Sequence, residues 1–177
     1  MHFITYNQPV RLALLNPNIH YHEVVVPEYP LLHWRHLHEE IKKVSQKYYR
    51  EENYYTAFLE SAKRYICEVK KKSGETDNMA DRNLMAKVFN SQKKLLDVVE
   101  NFRKKDGTSF SNDTVLNIQD GQQFLSQGII TCVRNPLSHE ELYELRESGL
   151  FTEKDCLDML SLLSHLFYRL DNSVKKT

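Results

Sequence analysis

The stretch Thr152-Glu153-Lys154-Asp155-Cys156-Leu157-Asp158-Met159-Leu160-Ser161-Leu162-Leu163-Ser164-His165-Leu166-Phe167-Tyr168-Arg169-Leu170 decides the fold class. Cys156, Met159, Leu160, Leu163, Phe167 and Leu170 recur every three or four residues, the period of one helix face. Leu157, Leu162 and Leu166 widen that stripe, so the helix must be covered on most sides. Its start is equally marked. Thr152 suits the N-cap, and Asp155, three residues on, can reach back to the cap in a box-like arrangement.

Outward from this helix the same period recurs. Leu32, Trp34, Leu37, Ile41, Val44 and Tyr48 predict a helix from Leu31 to about Glu51. Tyr55, Phe58, Leu59, Ala62, Ile66 and Val69 predict a second from Tyr54 to Lys72. Lys70, Lys71 and Lys72 then meet the negative end of the helix dipole, and Gly74 can close the C-terminus. A short helix follows from Asp81 to Asn90, and residues 93–99 read as another turn or two. A further helix starting near Asn112 or Asp113 carries Phe124, Leu125, Ile129, Ile130 and Val133 toward the core. The chain has only 5 glycines and 5 prolines, and after Pro30 the single proline is Pro136. That scarcity favours long helices. Residues 1–29 differ: they are proline-rich and include the β-branched run Val24-Val25-Val26. The expected architecture is an all-α bundle of four to five main helices over residues 30–177, with an N-terminal arm of short extended segments over residues 1–29.

With 177 residues, 41% apolar and 27% charged, the chain has the composition of a globular domain. No apolar run nears the roughly 20 residues needed to span a bilayer. The first residues lack a basic start followed by an apolar core, so they do not read as a signal peptide. Cys67, Cys132 and Cys156 are widely spaced and read as reduced, mostly buried thiols of a cytoplasmic protein. His20, His22, His33, His36 and His38 cluster near the N-terminus, but Trp34 and Leu37 interleave with them as core residues do. No HExxH or CxxC accompanies them, and we expect no metal and no cofactor. Net charge is zero but unevenly spread, with 16 Lys and Arg against 9 Asp and Glu over residues 42–105. Within that basic middle, Lys63, Arg64, Lys70, Lys71 and Lys72 form a diffuse candidate RNA-binding patch. Solvated lysines on amphipathic helices explain the same pattern.

The chemistry concentrates in Val133-Arg134-Asn135-Pro136-Leu137-Ser138-His139-Glu140-Glu141. Asn135 precedes a proline and is disfavoured in the helical conformation, so the helix carrying Arg134 should end or kink there. Asn135 as N-cap and Pro136 as first helical residue would start a new turn at once. Arg134, His139 and the free N–H groups of that helix start are the parts of a phosphate site. Pairing of Arg134 with Glu140 or Glu141, and capping of a carbonyl by His139, would use the same residues structurally. From chemistry alone both readings stand.

The segment Arg134-Asn135-Pro136-Leu137-Ser138-His139 also resembles the R-x4-6-H motif of the HEPN superfamily. With Asp120-Gly121-Gln122-Gln123-Phe124-Leu125, Gly128 and Glu140, it is similar to the prophage-associated Ymh-type proteins and their RNPxxHE signature. This resemblance implies a helical-bundle, metal-independent endoribonuclease in which a ribose 2′-OH attacks its 3′-phosphate, leaving a 2′,3′-cyclic phosphate. It implies catalytic roles for Arg134 and His139, with Asn135, Ser138 and Glu140 in support, and RNA as substrate. It implies a homodimer with the two motifs facing across a cleft, a toxin or phage-defence setting, and control by an antitoxin or regulatory protein. Some relatives place a modifiable tyrosine two residues after the histidine; here that position is Glu141, and Tyr143 lies two further on. A non-catalytic module binding RNA, a nucleotide or a protein is the alternative.

Overall fold

The computed structural model describes Trp34 and residues 36–176. The expected arm over residues 1–29 lies outside the described residues, as do Leu32, His20, His22 and His33.

Four long helices build the bundle: α1 (Glu39–Arg50), α2 (Tyr54–Ser73), α4 (Asn112–Ile129) and α7 (Glu153–Asp171), with the short α3 (Asp81–Val88) between α2 and α4. The all-α expectation holds. Helix α7 has the predicted capping box, with the Thr152 amide on the Asp155 carboxylate at 2.8 Å. Its buried face comprises Cys156, Leu157, Leu160, Leu163, Ser164, Leu166, Phe167 and Leu170. It packs on α2, which presents Tyr55, Phe58, Ala62, Tyr65, Ile66 and Val69. Each fully buried Leu or Phe contributes about 1.5–3 kcal/mol, so this seam dominates the core. Gly74 closes α2 at φ 74, the left-handed conformation the sequence expectation required of it.

The helix expected from Leu31 is interrupted: Trp34 and His36 are helical, but Leu37 and His38 are not, and α1 begins at Glu39. His38 caps it, its Nδ1 accepting the Glu40 amide at 3.2 Å, while Nε2 lies 2.8 Å from the Asp171 carboxylate. The His38 ring stacks on Phe167 and its amide donates to the Ser164 hydroxyl. This histidine is therefore tied to α7. The buried stripe of α1 is Ile41, Ser45 and Tyr49, with Val44 and Tyr48 only partly covered.

Residues 93–99 are not helical. Leu96–Asp97 form β1, antiparallel to β2 (Val174–Lys175), with Leu96 opposite Lys175. The reason is a polar clamp on α4: Gln119, wholly buried, accepts the Val98 amide and donates to the Phe89 and Leu96 carbonyls. A glutamine offering both an acceptor and donors satisfies an extended backbone that has no second sheet neighbour.

Helix α4 also departs from expectation. Its buried face is Gln119, Gln122, Ser126 and Ile129, while Phe124 and Leu125 are 63% and 41% exposed. Gln122 donates to the Tyr65 hydroxyl and the Leu166 carbonyl, and Ser126 pairs with the same hydroxyl. These bonds let polar residues occupy the core face at little cost. Phe124 and Leu125 are thereby turned outward, while Ile129 stays in the core as expected.

The cysteines divide. Cys156 is buried, and burial first, then nearby Glu153 and Asp155, push its thiol up to about 12. Cys67 and Cys132 are exposed, contrary to the expectation of mostly buried thiols. Among the described residues no helix is long and apolar enough to cross a membrane.

Candidate functional site

The segment around Asn135 does not break as the proline rule predicts. Helix α4 runs into a π turn, Ile130–Arg134, and on into α5 (Asn135–His139) without leaving helical space. Asn135 has φ −67 and ψ −51, and its amide donates to the Ile130 carbonyl, five residues back. An α-helix here would push the Pro136 ring against the carbonyl four residues back. The widened π turn relieves that clash, which is why the chain stays helical. Such turns cluster at functional sites. Asn135 is therefore not an N-cap, and no free helix start opens at Pro136. Sequence reasoning missed this because nothing in residue type separates a proline that ends a helix from one seated after a π turn.

Arg134 ends the π turn and turns inward toward α3. One terminal nitrogen lies 3.2 Å from the Asp81 carboxylate, and the other donates to Asn135 Oδ1 at 3.2 Å. Its Nε is buried with no acceptor among the described residues. The side chain as a whole is 25% exposed. The expected structural alternative, pairing with Glu140 or Glu141, is not what forms: both are exposed, and Asp81, 53 positions earlier in the chain, takes the cation instead. Asp81 is the one site residue sequence reasoning did not single out. The available signal was its place in the first turn of a predicted helix.

Ser138 donates to the Arg134 carbonyl at 2.7 Å, holding the turn to α5. His139 closes α5 and is exposed, as is Glu140, which caps the segment with an extended backbone. Residues five apart on a helix point about 140° apart around its axis, so Arg134 and His139 leave one segment in different directions. No hydrogen bond joins them. Beyond lies α6 (Leu142–Ser148), a helix the sequence reading did not contain, closed by Gly149 at φ 66.

The expected RNA-binding patch is largely paired within the chain. Lys63 meets Glu60 at 2.7 Å, Arg64 lies between Glu40 and Glu68 at 3.8 Å each, and Lys71 meets Glu68 at 3.6 Å. Lys72 donates to the carbonyls of Leu170 and Asp171, capping the C-terminus of α7. These cations lie along α2, whereas the Arg134 segment packs against α2, α3 and α4. No group of three or more His, Cys, Asp or Glu side chains with metal-binding geometry occurs among the described residues.

A family model described as "Protein of unknown function (Hypoth_ymh)" matches residues 35–170. No curated protein and no solved structure matches the chain.

Proposed function

The chain belongs to the Hypoth_ymh family, and on that premise we propose that it is a metal-independent endoribonuclease of the HEPN type, acting as a homodimer. The observation that carries this reading is the conformation of the motif. Arg134 sits at a π turn with its guanidinium gripped at both terminal nitrogens, and His139 stands free in solvent five residues later. A held cation stabilises charge on phosphoryl oxygens without reorganising, and an exposed imidazole with no hydrogen-bond partner among the described residues is free to take or give a proton. The ribose 2′-OH loses its proton and attacks the adjacent phosphorus. The P–O5′ bond breaks, and the departing oxygen takes a proton. His139 serves one of these two transfers, and Arg134 neutralises the oxygens between them. Asn135 fixes one arm of the guanidinium, Ser138 holds the backbone turn, and Glu140 follows His139 in the chain. The dependence on a 2′-OH makes RNA the substrate.

A second copy supplies what one chain lacks. Gly121, Phe124 and Gly128 share one face of α4 by helical spacing, and a Cβ added at either glycine meets nothing within 4 Å. Glycine inside an exposed helix costs about 1 kcal/mol relative to alanine, and close approach of another backbone explains its use. Phe124 and Leu125 add exposed apolar area on the same helix that feeds the motif. Pairing α4 with its copy brings two Arg134–His139 motifs to one cleft. In a toxin or phage-defence effector such a cleft is the surface a regulatory protein covers.

The test is cleavage of single-stranded and structured RNAs by purified wild type, Arg134→Ala and His139→Ala, in EDTA. Cleavage by wild type, lost in both variants with folding intact, supports the reading. No cleavage by wild type, or equal cleavage by the variants, overturns it in favour of a binding module.

A further inference from the structure

We propose that Asp81 is a positioning residue for Arg134, fixing the plane and reach of the guanidinium for the phosphate. The inference rests on the reading of Arg134 as the phosphate-facing cation. The pair spans two elements that are distant in sequence. Asp81 opens α3, whose Leu84, Met85 and Val88 are wholly buried, so the carboxylate is mounted on a helix that cannot slide. On the other side, Arg134 ends the π turn that packs against α3.

The contact is unlike a surface ion pair. The Asp81 and Arg134 side chains are only 20% and 25% exposed, which shields the pair from solvent. Asp81 approaches a terminal nitrogen, and Asn135 Oδ1 takes the other at 3.2 Å. Two acceptors on the two ends fix both the position and the rotation of a planar group. Nε, meanwhile, is buried without an acceptor. Burying an unmet donor is costly, so the side chain would relax toward solvent if only packing held it. The two-ended grip keeps it in place. An arginine already immobilised loses little rotamer entropy when the phosphate arrives, and its charge is aimed before reaction.

The experiment compares wild type with Asp81→Ala and Asp81→Glu as full-length chains. Cleavage rates are measured at saturating and limiting RNA, with the Arg134 Nε–Hε signal followed by NMR. The proposal expects Asp81→Ala to lower kcat by about tenfold to a hundredfold, as misplacement of a reacting group does, with KM changed far less. It expects the Hε proton to exchange slowly in wild type and rapidly in Asp81→Ala, with Asp81→Glu recovering most of both. Unchanged or faster cleavage by Asp81→Ala overturns it. So does a loss of activity that follows a fall in Tm and is not recovered in Asp81→Glu. If wild type cleaves no RNA, the ribonuclease reading fails by itself and the NMR comparison decides this one. An Hε signal with the same exchange rate in wild type and Asp81→Ala then sinks it.

Discussion

At the scale of residues, the site is built by contrast. Arg134 is held by two acceptors while His139 is held by none. His139→Ala should leave stability within about 0.5 kcal/mol, as exposed substitutions do, while cutting RNA cleavage by about a hundredfold or more. Urea melts beside cleavage rates check both halves. The motif residues were singled out in the sequence by the resemblance to the RNPxxHE signature, since their chemistry alone left both readings standing. Asp81 was not, because an aspartate at a helix start has an ordinary explanation in the helix dipole. Asp97 makes a second residue-scale prediction. Burial alone would raise its pKa, but the Lys94 ammonium at 2.7 Å and the Val99 and Glu100 amides hold it below the usual value. A lowered carboxylate stabilises the folded chain above its unfolded pKa of about 3.9 and loses that contribution as pH falls through the folded value. Wild-type stability should therefore drop below about pH 4 more steeply than that of Asp97→Asn. Parallel pH profiles from urea melts contradict this.

At the scale of elements, α2 and α7 follow their sequence patterns because apolar period, cap and C-terminal glycine agree in each. Three elements did not follow, each for a physical reason. The π turn at Ile130–Arg134 absorbs Pro136 by a hydrogen-bond shift that no residue type announces. Helix α4 buries glutamines, since Gln119 and Gln122 find every partner they need across the core. The segment holding β1 is extended because Gln119 clamps it and the chain's last residues pair with it. The last two depend on contacts distant in sequence, which a local period cannot see. The clamp makes a sharp prediction. Gln119→Leu removes the partners of one amide and two carbonyls that are buried, and should cost about 2–4 kcal/mol by thermal or urea unfolding. A loss under about 0.5 kcal/mol, the level of a surface substitution, denies the clamp its role.

At the scale of the whole molecule, the bundle was legible in the sequence, whereas the face by which the proposed homodimer would pair was not. Scarce glycine and proline and four apolar stripes imply the helices. Which face of α4 stays uncovered emerges only once the glutamines are seen to turn inward. That exposed face, with Phe124 between Gly121 and Gly128, predicts a dimer that Phe124→Asp converts to monomer in sedimentation equilibrium while helix content is kept. A wild-type chain that stays monomeric at tens of micromolar contradicts the paired cleft. The central claim, however, is chemical, and the ends of the cleaved RNA test it most directly. Attack by the ribose hydroxyl leaves a 2′,3′-cyclic phosphate and a free 5′-OH, without metal and with no product from a strand carrying 2′-deoxyribose at the cut. The account predicts those ends for wild type in EDTA and none for Arg134→Ala or His139→Ala. Ends bearing 3′-OH and 5′-phosphate, or cleavage of the deoxy-substituted strand, contradict it.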